Sequence, residues 1–305
     1  MSDLNIVNGI NDVNDASESL WWSYNDLRSK FMAATDNYQQ AKMVLFGAPM
    51  DDTASYRPGS RFGPKAVREV SEALEEYSYY QNKDLRQCPF FDAGDLYLPH
   101  GNVVKSLTMI REAVARIVWE GKTPFMLGGE HLVSWPAISV LAEQYPELRV
   151  VHLDAHADLR ASYQGEQYSH ASVMRLVADG LGPGRVYQFG IRSGDRPEFE
   201  YAKVNTKLFP EEVLAPFKSC INELSRYPVY VTIDIDVLDP AFAAGTGTPE
   251  AGGIRPRELF NFIWLLTHLK VVGIDLVEIA PYYDASGATS LLGAKLIREI
   301  LLSLT

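Results

Sequence analysis

The chain has 305 residues, 47% hydrophobic and 22% charged, enough to bury a large core as one α/β domain or two smaller ones and unlike disordered or collagen-like sequence. With 39 acidic against 28 basic residues its formal charge is -11, which repels a phosphate backbone and attracts small cations, so nucleic acid is a poor partner. No apolar run approaches the roughly 18 to 20 residues of a membrane span, and the polar start MSDLNIVNGINDVND does not fit a signal peptide, so a cytoplasmic protein with no membrane partner is expected. Cys88 and Cys220 lack C-x-x-C spacing and read as buried reduced thiols.

In chain order, residues 1–42 read as a polar N-terminal extension, with ESLWWSYNDLRSKF as a candidate amphipathic helix. Its adjacent Trp21 and Trp22 are expected to cover a neighbouring core face rather than meet a partner subunit. MVLFGAPM is the first buried strand, and PKAVREVSEALEEY the first helix, with Pro64 at its opening turn and Val67, Val70, Leu74 and Tyr77 at helical spacing. Then follow the helix SLTMIREAVARIVWEG, strand TPFMLGG, helix SWPAISVLAEQY, strand RVVHLD, helix ASVMRLVADG and strand RVYQFGI. Later come the strand VYVTIDIDV, helix RELFNFIWLLTHL, strand VVGIDLVEI and helix LLGAKLIREILLSL. Such alternation predicts an α/β fold with a mainly parallel sheet and helices on both faces, and no linker divides it, so residues 43–305 are expected to form one domain. In such sheets ligands bind beyond the carboxyl ends of the strands.

Polar residues gather at four of those ends. VVHLDAHADLR carries Asp154, His156 and Asp158 two residues apart, which an extended chain would point to one side. VYVTIDIDV carries Asp234 and Asp236, PFMLGGEH ends in Glu130 and His131 after two glycines that allow close backbone approach, and GIDLVEIAP ends in Glu278. A D-x-H-x-D alone reads equally well as an ion pair or a turn cap. Joined by D-x-D and G-G-E-H it reads as a metal site, because clustered buried carboxylates need compensation that Lys and Arg do not supply there. Two divalent cations would balance the four aspartates, with His131 and His156 completing six ligands. Some carboxylates must then bridge, leaving a position for metal-bound hydroxide. The hard donor set favours Mn²⁺ over Zn²⁺ and Co²⁺. His152, earlier in the apolar run, reads as a core residue.

The segments LGGEH, HLDAHADLR, SHAS, DIDVLDPAFAAGTGTPEAGG and GIDLVEIAP, with R-x-G-x-R-x-G-P from Arg57 to Pro64, resemble the signatures of the ureohydrolase family, the arginases and agmatinases. The resemblance runs from about Gly47 to the C-terminus. It implies a three-layer α/β/α sandwich of the arginase type, two Mn²⁺ per subunit and hydrolysis of a guanidino group with release of urea. It also implies that His131 and Asp158 ligate one metal, His156 and Asp236 the other, and that Asp154 and Asp234 bridge them. A bridging aspartate such as Asp154 would pass a proton to the departing amine, His170 would shuttle protons and contact substrate near the mouth, Glu278 would hold the guanidinium, and Thr248 would line the same pocket. A homo-oligomer, trimer or hexamer, is implied as well. Where the family usually has G-G-D-H this chain has GGEH, and Glu130 is expected to act on packing or on groups around the ligands rather than on the metals.

Arg160 stands where arginases place an asparagine, and ADLRASYQGEQYSHAS resembles agmatinases, so the expected substrate is the small cation agmatine, cleaved to putrescine and urea. Glu166 and Asp195 are candidate contacts for its distal ammonium, although each by itself reads more readily as a solvated loop acid. Aminopropylagmatine and guanidinobutyrate remain alternatives within the family, arginine a weaker one. A binuclear phosphoesterase or an inactive binding homologue would be a different class. The first usually needs more histidines downstream of His170 than the single His268, and the second predicts a lost ligand, whereas none is missing.

Overall fold

The structure is a computed structural model that describes residue 22, residues 25–27 and residues 29–305. Its central sheet has eight strands: β1 (Met43–Ala48), β4 (Phe90–Asp95), β5 (Thr123–Gly128), β6 (Arg149–Leu153), β7 (Val186–Ile191), β8 (Thr206–Pro210), β9 (Pro228–Asp234) and β10 (Lys270–Val277). They lie in the order β4-β1-β5-β10-β9-β6-β7-β8, and every neighbouring pair is parallel. A small antiparallel hairpin, β2 (Tyr77–Ser78) with β3 (Lys83–Asp84), stands apart.

Side-chain alternation along the strands divides the core into two layers. Leu45, Leu127, Val151, Phe189, Val231 and Leu276 face α1 (Gly63–Ser71), α6 (Leu214–Leu224), α7 (Pro256–Leu265) and α8 (Ala288–Leu304). Val44, Phe46, Met126, Val150, Val186 and Val272 face α2 (Val103–Trp119), α3 (Ser134–Gln144) and α4 (Val173–Leu181), with Ala202 of α5 (Arg196–Asn205) on the same side. Strands apolar on both faces are what a parallel sheet covered on both sides requires, and the result is the expected three-layer α/β/α sandwich.

Local departures have local causes. The first helix stops at Ser71 instead of running on to Tyr77, and Tyr77 instead pairs with Asp84 in the hairpin. Strand β4 carried no clear apolar signal because Asp92 interrupts it; that aspartate is buried, accepting from Arg68 and from the Phe31 amide. Within ESLWWSYNDLRSKF, residues 25–27 and 29–31 form bends and a bridge between Asp26 and Asp95, not a helix, because they pair with β4. Trp22 covers core as expected, its ring 4.0 Å from Tyr38 and 5.1 Å from Phe91, while Trp21 lies outside the described residues. Both cysteines are buried and free, and no helix among the described residues is long and apolar enough to cross a membrane.

Four adjacent strands, β5, β10, β9 and β6, carry the polar strand ends noted in the sequence. The glycines after β5 let the backbones close in: a Cβ at Gly129 would stand 2.0 Å from the Met50 carbonyl oxygen, and one at Gly128 2.5 Å from Val277 Cγ1. Gly129→Ala is therefore expected to cost about 1–3 kcal/mol or more. A thermal melt within a degree of wild type would contradict this close approach.

Candidate metal centre and active site

The strands end just before the polar residues, so turns rather than extended chain orient most of the cluster. Strand β6 stops at Leu153, and Asp154 then folds its own turn, its Oδ1 accepting from the His156 amide at 2.6 Å. Asp158 sits at φ +53, a conformation an aspartate tolerates better than most residues. Likewise Asp234 closes β9 and caps a 3₁₀ turn, its Oδ1 accepting from the Asp236 amide at 2.8 Å, so Asp236 lies on that turn and not on the strand. The shared face that extended spacing predicted is thus reached through two short Asx turns. Their benefit is that each aspartate spends one oxygen on backbone and keeps the other for the centre.

Those second oxygens converge. His131 Nδ1 lies 2.9 Å from Asp154 Oδ2, 3.3 Å from Asp234 Oδ2 and 3.5 Å from Asp158 Oδ2. His156 Nδ1 lies 3.0 Å from Asp236 Oδ2 and 3.4 Å from Asp154 Oδ1, so Asp154 faces both imidazoles. Hydrogen accounting shows what the first group presents. Thr232 donates its only hydroxyl proton to Asp275 Oδ1 at 2.5 Å and therefore accepts from His131 Nε2, 2.9 Å away. In the neutral form that a metal would bind, the imidazole turns the Nδ1 lone pair toward three carboxylates, where it has no hydrogen-bond partner. Lone pairs so gathered repel one another unless a cation lies among them. These donors fit a hard or borderline divalent metal, and the cluster can hold one.

The electrostatics agree. Burial, then repulsion from Asp154, holds Asp158 well above the usual carboxylate range, and burial, then repulsion from Asp236 and Asp154, does the same for Asp234. Burial works against a charged His131, yet Asp154 and Asp234 beside it hold it well above the ordinary histidine value, so a proton on Nδ1 occupies the place that suits a metal cation.

His152 is fully buried, as expected, and also has a polar partner: its Nε2 is 2.9 Å from Asp154 Oδ2. Gln188 Nε2 donates to the Ala157 carbonyl at 2.8 Å and to His152 Nδ1 at 3.1 Å, which leaves the ring proton on Nε2, facing Asp154. Though near enough to count with the first group, His152 therefore supports Asp154 as a donor and offers no lone pair to a metal. Asp275, with Tyr230 donating at 2.6 Å and Thr232 at 2.5 Å, orients His131 in the same way. Sequence reading passed over Asp275, although an acid inside the apolar run GIDLVEI was a usable signal. Asp275→Asn is expected to weaken divalent-metal affinity by about 10–100-fold. Chelator competition would measure this, and unaltered affinity would show that the chain is idle.

Glu278 follows β10 at φ +64, held by its amide donating to the Gly129 carbonyl at 2.8 Å and by its Oε1 accepting from the His131 amide at 2.8 Å. Backbone strain of about 1–3 kcal/mol at a non-glycine is characteristic of functional positions. Burial, with added repulsion from Asp236 and Asp154, raises Glu278 to about 7, so a cation beside it would be drawn in as it ionises.

A cavity of about 220 Å³ opens over the cluster, lined by the cluster residues His131, His156, Asp158 and Asp234 together with Thr248, Glu278, Ser55, Arg160, Tyr163, His170 and Glu198. It is smaller than the roughly 300–1,000 Å³ of drug-sized sites and suits a short, slender molecule. Thr248 reaches Asp236 Oδ2 at 3.5 Å. Burial pushes His170 down to about 4, below the ordinary histidine value, so it is neutral at pH 7. Arg160 lies 3.4 Å from Asp195 Oδ2 and 3.5 Å from Glu198 Oε2, with its guanidinium over the Tyr163 ring. Asp195 also caps α5 and Glu166 pairs with Tyr163 in a turn, and neither lines the cavity, so of this group only Arg160 and Glu198 reach its wall.

Residues 41–303 match the arginase family model. The chain is 52% identical over 275 residues to an agmatinase of Bacillus anthracis, covering 89% of this chain and 95% of that one. It is 36% identical over 278 residues to the mitochondrial guanidino acid hydrolase of Homo sapiens, covering 86% and 78%. The solved structure of agmatine ureohydrolase of Thermoplasma volcanium superposes with a TM-score of 0.83 at 36% identity, covering 90% of this chain and 94% of that one.

Proposed function

The chain belongs to the arginase family as an enzyme of the agmatinase type, and on that premise we propose that it hydrolyses agmatine to putrescine and urea at a pair of Mn²⁺ ions. The observation that carries this reading is the convergence of two imidazoles and four carboxylates beneath a small cavity walled by Glu278, in a chain about half identical to an agmatinase. His131 and Asp158 would hold one ion, His156 and Asp236 the other, with Asp154 and Asp234 shared. Bound there, the ions would make water a strong nucleophile at neutral pH, which the resonance-stabilised guanidinium carbon requires.

The protein's own groups would do the rest. Glu278 keeps Oε1 on the His131 amide, and Gly247 leaves room beside Oε2, where a Cβ would still be 3.6 Å away. That oxygen is free to accept a charge-assisted hydrogen bond from the substrate's guanidinium and hold its plane over the cluster. Asp154 lies between both imidazoles and is placed to carry a proton to the departing amine. His170, neutral and at the cavity wall, is placed to accept a proton and exchange it with solvent.

At the outer end, one guanidinium faces two carboxylates, Asp195 and Glu198, leaving one negative charge for a distal ammonium. A guanidino acid is the second reading, favoured by Arg160 itself, which a substrate carboxylate could engage in place of Asp195. A substrate panel separates them: Mn²⁺-loaded protein should release urea and putrescine from agmatine, with turnover about a hundredfold lower or less on arginine and on 4-guanidinobutyrate. Preference for guanidinobutyrate would select the second reading, and urea from none of the three would end both.

A further inference from the structure

Glu130, the residue that departs from the usual G-G-D-H, and Thr53, which no part of the proposed reaction uses, are joined to His170. The Thr53 amide and hydroxyl both donate to Glu130 Oε2 at 2.9 Å, and the Thr53 oxygen in turn accepts from the His170 amide at 3.0 Å. The same oxygen stands 3.3 Å from His170 Nδ1, with Ser169 Oγ 3.4 Å away on that nitrogen and Ser55 Oγ 3.2 Å from Nε2.

We propose that Glu130 and Thr53 are positioning residues that fix the tautomer and orientation of His170, a role that rests on the reading of His170 as the proton carrier. A hydroxyl has one hydrogen, and here Glu130 takes it. Thr53 can then offer His170 only lone pairs, one to the backbone amide and one to the ring. A ring nitrogen facing that lone pair is stable when it carries a proton, so the proton sits on Nδ1, and Ser169, with lone pairs of its own, can accept from it too. Nε2 is left as the unprotonated nitrogen, accepting from Ser55 and turned to the cavity that both residues line. Glu130 Oε2 accepts from Thr53 whichever charge the carboxyl carries, since Oε1 is buried without a partner and would hold any proton. Glu130 thus supports, through Thr53, the part of the cavity wall formed by His170, a polar task beyond the packing a longer side chain would explain. An imidazole with its base nitrogen preset avoids a tautomer change during turnover, and general acid–base groups contribute about 10²–10⁴-fold.

The test compares Thr53→Val, which removes the hydroxyl at nearly equal volume, with Thr53→Ser, which restores it, and with Glu130→Met, which frees the Thr53 hydrogen. Turnover per loaded metal site is expected to fall about tenfold or more in Thr53→Val and Glu130→Met and to stay within about threefold in Thr53→Ser, with KM for agmatine changed less than about threefold in all. Wild-type turnover in Thr53→Val would overturn the proposal. Should Thr53→Val melt early or lose metal, Glu130→Met decides, and wild-type turnover per loaded site there overturns it equally. An arm independent of activity uses two-bond ¹H–¹⁵N spectra of the full chain with diamagnetic Zn²⁺. His170 is expected as the Nδ1–H form in wild type, shifting toward Nε2–H in Thr53→Val, and an Nε2–H wild-type ring sinks the idea. If wild type forms no urea while these spectra hold, the proposed activity fails and what stands is the control of the His170 tautomer by Thr53 and Glu130.

Discussion

Asp234→Asn is expected to bind fewer than two divalent ions per chain and to lose at least about 10³-fold in kcat/KM. Asparagine keeps the volume and the oxygen that caps the Asp236 amide, so the turn after β9 survives. What it removes is charge on the oxygen 3.3 Å from His131 Nδ1, at the point where both metals are proposed to share a ligand. Elemental analysis and a urea assay measure the two effects, and full retention of two ions would refute the shared role.

The same substitution should act with opposite sign on the metal-free protein. Asp158 and Asp234 are held well above the ordinary acid range by burial and by the charges of Asp154 and, for Asp234, Asp236, and Glu278 is raised to about 7. His131 is also raised, by Asp154 and Asp234 acting against burial. Each of these groups binds its proton more tightly folded than unfolded, so the stability each contributes is present at low pH and lost as pH rises through the folded value. Asp154 has the reverse shift, but its window closes below the ordinary carboxylate range, and the lowered His170 and His152 oppose the trend only below the ordinary histidine value, where the raised groups outnumber them. Chelator-treated wild type should therefore melt lower at about pH 8 than at about pH 5.5, and metal-free Asp234→Asn should melt above metal-free wild type at neutral pH. Mn²⁺ should raise wild type more than the variant. A chelated wild type whose melting point rises with pH across that window would contradict the sign.

Glu278→Gln is expected to keep its metals and lose about 10²–10⁴-fold in kcat/KM. The amide oxygen of glutamine can still accept from the His131 amide, and the strained backbone at φ +64 suits one side chain no worse than the other. Only the charge facing a guanidinium goes. Activity within about fivefold of wild type would mean that another group anchors the substrate.

How much of this was legible beforehand differs from element to element. D-x-H-x-D, D-x-D and G-G-E-H announced the cluster because acids and histidines at the ends of apolar strands have few structural uses. The reason they converge was misjudged, since Asp158 and Asp236 come to the centre through turns that Asp154 and Asp234 cap themselves. Asp275 gave one local signal, an acid in an apolar run, and Gln188 gave none, but what each does was not legible. Each acts through a side chain on another strand, Asp275 on Thr232 and His131, Gln188 on His152, and neither contact is encoded in its own neighbourhood.

The amino-acid sequence by itself determined the alternation of strand and helix, the two apolar faces of each central strand, the acid-rich strand ends and the family, because periodicity, burial preference and donor type are properties of short segments. Tertiary structure alone decided the rest: β5, β10, β9 and β6 became neighbours, so residues from 131 to 278 share one cavity. It also paired Arg160 with Asp195 and Glu198, and directed Glu130 through Thr53 to His170. The physical reason is that a hydrogen has one acceptor of choice and a buried charge one nearest partner, and which group that is depends on strand order and not on sequence distance.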